Sequence, residues 1–438
     1  MRGIKRMIAA VLCLLLLGGC AMDVESYLKP PRAQGEQQAL QQALEAAILK
    51  ETTDHYTFKY PASGAFTSAF VLLDSTGNVS EVEEAVTAVA FYTYGGGEYT
   101  HLHLLRRDGD GWYSVSDLTG EYTDIDVIQV CDLNGDGQVE LSVGWKLYSG
   151  ERRLCLYQLD TTGIRKLSEV GRYHRFFAGD MTADGWDDLV LLSADAPGTV
   201  TASLYVWLSP TVRKAGETRL NDAIQSFDNL LYGKLTSGVE GLYIDATLNT
   251  GHYISEILYW DGIHLQAPLS DPAVQNSTVS TRIVRIFSMD VDGNGVPEFP
   301  VTSRLSTLPQ ASGENTWQWL TEWMSWDVAS QKAVRQFGSI VNLPDGYFIE
   351  LEDEWIATVT TRYDEDTRTL WLEAVQKDGT PEPFLAVQNT ENRDNGQPAE
   401  GYIFVDLPGN DNLRIWYDPD SEYRLTTEKI SYMLVTFN

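Results

Sequence analysis

The stretch CDLNGDGQVEL, residues 131–141, places oxygen-bearing side chains at alternate positions and then adds a glutamate. Counted from Asp132 as position 1, such side chains stand at positions 1, 3 and 5, a glycine at position 6 and a carboxylate at position 9. A calcium ion takes about six to eight oxygen ligands, and alternating side chains with the position-7 carbonyl can surround one. The glycine permits the tight turn that this requires. The stretch therefore predicts a calcium loop.

The same pattern recurs twice, and we call residues 132–140, 180–188 and 290–298 the first, second and third acidic loops. All three carry the oxygen side chains, the glycine and the carboxylate at the same positions, although the threonine of the second loop is a weak ligand. The candidate metal ligands are Asp132, Asn134, Asp136 and Glu140; Asp180, Thr182, Asp184 and Asp188; and Asp290, Asp292, Asn294 and Glu298.

An EF-hand loop would carry a bidentate glutamate at position 12. The acidic loops have Val143, Leu191 and Val301 there, and β-rich runs such as 127–130 and 141–143 flank them. The loops are therefore predicted to join strands, which excludes the EF-hand and dockerin interpretations. The alternative for any one loop is a turn that is capped by its own side chains and holds no ion.

The spacing of the loops predicts a repeat. The first two begin 48 residues apart and the third begins 110 residues later, so a degenerate copy is expected near residue 235. An upstream copy begins at Asp74. A second run rich in Leu and Tyr follows each loop, as at 101–105, 153–157 and 203–207. Four strands every 40–50 residues are typical of a β-propeller blade, so we expect an all-β fold with about five four-stranded blades.

These repeats resemble the FG-GAP/VCBS-type repeats of integrin-like propellers. The similarity covers residues 67–340, and the chain as a whole is similar to VCBS-repeat lipoproteins of clostridial bacteria. The resemblance implies calcium as the bound ion, held between the first strands of a blade. The copies at residues 74 and 235 have lost or displaced their acids, so we expect them to be empty.

The N-terminal residues are predicted to form a targeting segment. Arg2, Lys5 and Arg6 precede an apolar run at 7–17, which is too short to span a bilayer and ends in Leu17-Gly-Gly-Cys20. This resembles the lipobox of bacterial lipoproteins. We therefore expect a signal peptide at 1–19, a lipid anchor on Cys20 with a tether over 20–35, and attachment to the extracytoplasmic side of the cell membrane. The alternative is an ordinary secretory signal.

The charge balance indicates which classes of partner the chain is able to bind. The formal net charge is −30, and cleavage before Cys20 would remove three basic residues and bring it to −33. Such a surface argues against nucleic acid and anionic lipids as partners, and favours cations.

Three further segments complete the organisation. Residues 36–66 are predicted to form an amphipathic helix and a lead-in strand, and residues 341–438 a small β-rich α+β domain, the alternative being further blades. Cys131 and Cys155 fall on the first and third strands of one repeat. Two strand spacings place them about 9–10 Å apart, whereas a disulfide needs Cα atoms within about 7 Å. Buried free thiols are therefore favoured over a disulfide.

Few residues suggest catalysis. His101 and His103 share a strand face at a metal-capable spacing but have no identifiable third ligand, so packing histidines are favoured. A stripe formed by Trp317, Trp319 and Trp323, with Trp326 nearby, reads as core rather than as a sugar-stacking face. The acidic run 350–354 could suggest the paired carboxylates of glycoside cleavage, but it is interpreted as a solvated turn.

The sequence thus predicts a membrane-anchored, non-catalytic binding or scaffold module that calcium stabilises and that binds a protein or glycan. The alternative is a carbohydrate-active or lyase-like enzyme that uses one propeller face.

Overall fold

The computed structural model describes residues 35–437 except 53, 54, 96, 98, 110, 197, 272–279, 306, 308–314, 392–399 and 406–411. The predicted signal peptide, Cys20 and the tether to residue 34 therefore lie outside the described residues. The described chain is all-β, with six antiparallel sheets of four or five strands and two α-helices, α1 (Glu36–Glu51) and α2 (Thr427–Met433). Neither helix has the length and apolarity needed to cross a membrane.

The first three sheets follow one another along the chain. The first contains β1 (Tyr56–Phe58), β2 (Phe70–Leu73), β3 (Thr87–Tyr94), β4 (His101–Asp108) and β5 (Gly111–Thr119). The second contains β6 (Asp124–Cys131), β7 (Glu140–Lys146), β8 (Arg152–Asp160) and β9 (Gly163–Arg172). The third contains β10 (Arg175–Gly179), β11 (Asp188–Ala196), β12 (Thr199–Leu208) and β13 (Thr211–Arg219).

The remaining three sheets occupy the second half of the chain. The fourth contains β14 (Ile224–Lys234), β15 (Glu240–Leu248), β16 (Tyr253–Trp260) and β17 (Leu265–Gln266). The fifth contains β18 (Phe299–Arg304), β19 (Trp319–Asp327), β20 (Lys332–Asn342), β21 (Tyr347–Leu351) and the late strand β27 (Leu434–Thr436). The sixth contains β22 (Val359–Asp364), β23 (Thr369–Val375), β24 (Pro381–Asn389), β25 (Ile403–Val405) and β26 (Leu413–Tyr417).

The chain divides into two compact units. The first comprises the described residues up to Tyr60, then Ser68–Glu121 and Asp160–Ile164. In it, Leu40, Leu44 and Ile48 of α1 are buried against residues of the first sheet, which confirms the predicted amphipathic helix. The predicted lead-in strand is β1. Both β1 and β2 pair with β3, at different points along it, so they share one outer position of the sheet.

The second unit comprises Pro61–Thr67, Tyr122–Leu159 and Arg165–Asn438. Its second, third and fourth sheets are meanders in which each strand pairs with the next. Their central strands bury long aliphatic side chains, and a core of the third and fourth sheets combines residues from both, such as Val190, Leu204, Leu242 and Leu258. Burial on both faces of these strands explains their nearly continuous apolar runs.

A buried polar network ties three strands of the fourth sheet to the segment that follows it. The side chains of Asp245 in β15 and Arg282 are fully buried, and Nη2 of Arg282 lies 2.9 Å from Oδ1 of Asp245. The hydroxyl of Ser255 donates to the same carboxylate over 2.6 Å, and the backbone N–H of Ser288 over 2.8 Å. The carboxylate also accepts from the Asn229 amide of β14. The ion pair is thus compensated by hydrogen bonds, as a buried charge requires.

The fifth sheet joins residues from both sides of the predicted domain limit. The limit between residues 340 and 341 falls inside β20, and β21 and β27 extend the same sheet. Tyr347 and Ile349 of β21 share one buried cluster with Leu370 and Leu372 of β23. The residues after 340 therefore supply two strands of the fifth sheet and the whole of the sixth.

The two cysteines of the described chain are Cys131 and Cys155; both are buried, and neither forms a disulfide. They lie on β6 and β8, with β7 between them. This confirms the prediction of free thiols. Burial raises the pKa of the Cys131 thiol well above its usual range, so this thiol stays protonated at neutral pH.

Candidate functional site

The three acidic loops occupy the same topological place. The first joins β6 to β7 and the second joins β10 to β11, which are the first and second strands of their sheets. The third loop precedes β18, where an isolated bridge between Met289 and Glu298 holds the equivalent position. The predicted connection of strand to strand, rather than helix to helix, is therefore confirmed for the first and second loops. It is wrong for the third, because residues 283–287 form no strand and only the isolated bridge precedes the loop.

The aspartate at position 1 closes each loop by accepting backbone N–H groups. The N–H of the position-6 glycine donates to Oδ2 of this aspartate in all three loops, from Gly137 to Asp132 over 3.0 Å. The corresponding distances are 2.9 Å in the second loop and 2.8 Å in the third. The three glycines have φ angles of 77°, 90° and 83°, a left-handed conformation that favours glycine.

The side chain at position 5 repeats a second contact. Asp136 accepts the N–H of Gln138 over 2.8 Å, Asp184 that of Trp186 over 2.9 Å, and Asn294 the position-7 N–H over 2.7 Å. The three loops therefore share one backbone course, although their residues at position 7 differ.

The acid at position 9 is the buried member of each loop. Glu140, Asp188 and Glu298 are 0%, 2% and 1% exposed. Each accepts the backbone N–H of position 2, over 3.0, 3.0 and 3.2 Å. Burial, with a further contribution from the other carboxylates of the loop, raises the pKa of Glu140 to about 7, of Asp188 to about 6 and of Glu298 to about 7. An acid in this setting is costly to ionise without a compensating cation.

The third loop brings its carboxylates closest together. One oxygen each of Asp290, Asp292 and Glu298 lies within 4.8 Å of the others, and in the described part of the chain this is the one cluster of metal-capable side chains of that compactness. In the first loop Asn134 stands at position 3, and its amide donates to Glu140 over 2.7 Å. In the second, the hydroxyl of Thr182 donates to Asp188 over 2.9 Å.

Neighbouring loops and strands contact one another within the second unit. The backbone N–H of Asp132 donates to the Asp187 carboxylate over 2.9 Å, and the N–H of Asp187 donates to the Asp132 carbonyl over 3.0 Å. Further along, the Tyr232 hydroxyl, near the end of β14, donates to the carbonyl of Asp180 over 2.7 Å. The first acidic loop therefore contacts the second, and the second contacts the fourth sheet.

The two degenerate copies lie at the corresponding connections. Asp74, between β2 and β3, accepts N–H groups from Thr76 and Asn78 over 2.8 and 3.0 Å, but the nearby Glu83 and Glu84 are exposed. Between β14 and β15, residues 235–239 form a short turn without a carboxylate. The buried acid of the acidic loops has no counterpart in these described residues.

His101 and His103 belong to a hydrogen-bonded cluster in the first unit. Nδ1 of His101 lies 2.8 Å from the Asp117 carboxylate, and Nε2 of the buried His103 lies 2.8 Å from the Ser114 hydroxyl. The Tyr92 hydroxyl donates to Asp117 over 3.0 Å. Burial raises the pKa of Asp117, but the hydrogen bonds from both histidines outweigh it and leave this pKa below the usual range. Asp117 could not be identified from the sequence, because it lies on β5 while the two histidines lie on β4.

The tryptophan stripe is core, as favoured from the sequence. Trp323 and Trp326 of β19 are fully buried and Trp317 is 9% exposed. Trp317 lies in a short 3-10 segment and not in the strand, so the predicted alternation of three tryptophans on one strand face is wrong. Trp319 is partly buried.

The acidic run at 350–354 is largely paired. Glu352 lies 2.8 Å from Nζ of Lys429, and Asp353 lies 2.8 Å from the Arg335 guanidinium. Glu350 points from β21 into a cleft of about 890 Å³ that also contacts the third acidic loop. Sequence reasoning did not find this cleft, because its walls come from segments far apart in the chain.

No family model matches the chain, and no curated protein matches it significantly. Solved structures with weak similarity include Sqt1 of Saccharomyces cerevisiae, with 10% identity, 83% of this chain and 97% of that chain covered and a TM-score of 0.34. Others are a protein from Lactobacillus plantarum (8% identity, 72% and 82% covered, TM-score 0.33) and a rhamnogalacturonan lyase of Bacillus licheniformis (11%, 86% and 93%, 0.29). We assign neither a family nor an activity from such scores.

Proposed function

We propose that this protein is a calcium-stabilised binding or scaffold module that a lipid on Cys20 holds on the extracytoplasmic side of the cell membrane. The observation that carries the calcium proposal is the buried position-9 acid, which recurs in three loops of one backbone course. Each loop collects carboxylates of like charge around a site where burial opposes ionisation. A divalent cation would remove that opposition and let every carboxylate of the loop ionise.

The side chains at positions 1, 3, 5 and 9 would hold the ion, with the position-7 carbonyl. In the third loop these are Asp290, Asp292, Asn294 and Glu298, three of which already cluster. Calcium would supply positive charge there and fix the connection between the first two strands of each sheet. We assign the ion a structural role, because the position-9 acids that would bind it are buried.

We further propose that the sheets are the blades of a β-propeller, about five of which belong to the loop-bearing repeat. The meander topology of the second, third and fourth sheets supports this arrangement. The contact between the first and second acidic loops and that of the second loop with the fourth sheet support it as well. The face of such a propeller would bind a protein or a glycan.

Calorimetric titration tests the calcium proposal. In metal-free buffer we expect calcium to bind the soluble chain beginning after Cys20 and to raise its unfolding temperature. The variants Asp132→Asn, Asp180→Asn and Asp290→Asn should each lower the number of bound ions by one. Asp74→Asn, in a loop without a buried acid, is the matched control and should leave calcium binding unchanged. An unchanged unfolding temperature at millimolar calcium would exclude filled loops.

A second experiment separates binding from catalysis. The soluble chain is screened against a glycan array and incubated with a polysaccharide panel. Retention on glycans without release of new reducing ends or unsaturated products supports the binding module. Turnover of a polysaccharide would favour the alternative, a carbohydrate-active or lyase-like enzyme.

The anchor is tested by metabolic labelling of the full chain with an alkyne fatty acid in a bacterial host. We expect label in the membrane fraction for the natural sequence and none for Cys20→Ser. Label that persists in Cys20→Ser would contradict the proposed site.

A further inference from the structure

The cleft beside the third acidic loop has the size and lining of a ligand site. Its volume of about 890 Å³ lies in the range typical of small-molecule pockets. The loop preceding β18 forms one wall, β20 and β21 another, and the residues of α2 and β27 a third. All three walls belong to the second unit.

Aromatic side chains form much of the lining. Phe337 and Phe348 stack with ring centroids 5.9 Å apart, and Phe437 packs against Phe348 at 5.8 Å. At the rim, Tyr432 of α2 is 74% exposed.

The charged side chains in the lining are all of one sign. They are Asp290, Asp292 and Glu350, and the described lining contains no basic residue. An apolar floor rimmed by carboxylates is complementary to a ligand that carries a positive charge on an apolar body. Aromatic faces attract cations as well, and this attraction strengthens when the cation is partly removed from water.

We propose that this cleft binds an amine: a ligand with a protonated nitrogen attached to an apolar or aromatic body. The nitrogen lies against Glu350 and the two aspartates, and the body lies on the partly exposed rings of Phe337, Phe437 and Tyr432. This site shares Asp290 and Asp292 with the proposed calcium site of the third loop and adds Glu350 and the aromatic side chains. Calcium in the third loop therefore weakens amine binding, and by reciprocity the amine weakens calcium binding there.

Three fluorescent probes of matched shape test the charge preference. Dansylcadaverine carries an amine, N-pentyl dansylamide is neutral, and N-dansyl-6-aminohexanoate carries a carboxylate. Titrations in metal-free buffer with 150 mM salt follow the rise of dansyl emission; the salt screens the general attraction of a chain of net charge −30. We expect the amine to bind at least about tenfold more tightly than the carboxylate. Equal affinities would overturn the proposal.

Variants locate the site. Glu350→Gln should weaken dansylcadaverine by about three- to tenfold and leave the neutral probe unchanged. Glu365→Gln, in the exposed turn between β22 and β23, makes the same charge change away from the cleft and should bind like the natural chain. Tyr432→Ala, at an exposed position that does not endanger folding, should weaken all three probes. Natural affinity in both Glu350→Gln and Tyr432→Ala would overturn the proposal.

Competition distinguishes a peptide side chain from a free amine. Acetyl-Phe-Lys-amide displacing dansylcadaverine, with acetyl-Phe-Gln-amide inactive, would identify the source as a lysine of a protein partner. Displacement by phenethylamine alone would identify a free amine. The coupling to calcium is the one part that rests on the proposed function: an amine preference that calcium does not change would contradict calcium in the third loop and leave the amine site standing.

Discussion

Ala183 occupies a backbone conformation that its two counterparts give to glycine. It stands at position 4 of the second acidic loop with a φ of 58°, where the first and third loops have Gly135 and Gly293 at 68° and 73°. A left-handed conformation is strained for an L-residue with a Cβ atom and free of strain for glycine. The second loop therefore carries a small local cost that the other two avoid.

We expect Ala183→Gly to stabilise the protein by about 0.5–1 kcal/mol, since relief of the strain exceeds the extra entropy of glycine in the unfolded chain. Urea unfolding at fixed calcium measures the change. Gly135→Ala is the opposite control: a Cβ there would lie 2.1 Å from Nε1 of Trp186 as well as adopting a left-handed φ, so stability should fall. A neutral or lower stability for Ala183→Gly would contradict the expectation.

The buried acids predict an unusual pH dependence without metal. Burial raises the pKa of Glu140 and Glu298 to about 7 and that of Asp188 to about 6, above the values of an unfolded chain. The folded state thus holds these protons more tightly, and the free energy of unfolding falls as the pH rises from about 5 to 7.5.

Urea unfolding at pH 5.5 and 7.5 in metal-free buffer checks this expectation. The protein should be more stable at pH 5.5, and millimolar calcium should reduce the difference. We expect part of the pH dependence to remain when calcium is present, because of Glu256. This is a buried acid outside the loops, and burial raises its pKa to about 7 as well. The double variant Glu140→Gln/Glu298→Gln should show a weaker dependence. Greater stability at pH 7.5 than at pH 5.5 without metal would contradict the raised pKa values of the buried acids.

At the scale of the residue, the sequence located the loops because oxygen side chains, glycine and carboxylate follow one another within nine positions. The sequence did not locate Asp117 beside the two histidines, or Arg282 beside Asp245. His101 and Asp117 are 16 residues apart in the sequence, and Asp245 and Arg282 are 37 apart. The fold brings each pair together, so no pattern within a short stretch of sequence predicts these contacts.

Among the elements, α1 offers the sharpest test of packing. It begins at Glu36, and Leu40, Leu44 and Ile48 recur on one face that the first sheet covers. Leu49, one residue further along, is 68% exposed. The helix therefore carries a buried leucine, Leu44, and an exposed one, Leu49, five positions apart.

We expect Leu44→Ala to lower the free energy of unfolding by about 2–5 kcal/mol, because the truncation leaves a cavity under a fully buried side chain. Leu49→Ala makes the same chemical change in solvent and should alter stability by no more than about 0.5 kcal/mol. Urea denaturation followed by far-ultraviolet circular dichroism measures both. Equal effects would mean that the helix does not use this face.

The sequence predicted those strands whose apolar residues form a continuous short run. The runs at 101–105, 153–157 and 203–207 are parts of β4, β8 and β12, each the strand after the one that follows the loop. The late partner of β21 could not be anticipated, because β27 reaches it after the whole sixth sheet has intervened. The segment from 427 to 437 combines the short helix α2 with that strand.

For the whole molecule, the dominant electrostatic feature is the net charge of −30. A compact chain with such an excess of acids repels itself, and dissolved ions screen the repulsion. We expect the unfolding temperature in metal-free buffer to rise by about 1–3 °C between 20 and 300 mM sodium chloride, equivalent to roughly 1 kcal/mol.

Choline chloride is the control for that measurement, because its large cation screens charge and fits no loop. An equal rise in both salts supports general screening. A rise in sodium chloride alone would instead indicate binding of sodium at particular carboxylates, and no rise in either would contradict self-repulsion as a determinant of stability.

The pairing of β27 with β21 has a consequence for a chain that is synthesised from its N-terminus. Tyr347–Leu351 emerges long before Leu434–Thr436, so the fifth sheet presents an unfilled edge while the sixth sheet is still being delivered. An open edge invites pairing with a foreign strand. The interval between the synthesis of these two segments is therefore when the nascent protein is most exposed to misassociation, and a chaperone would have its clearest target there.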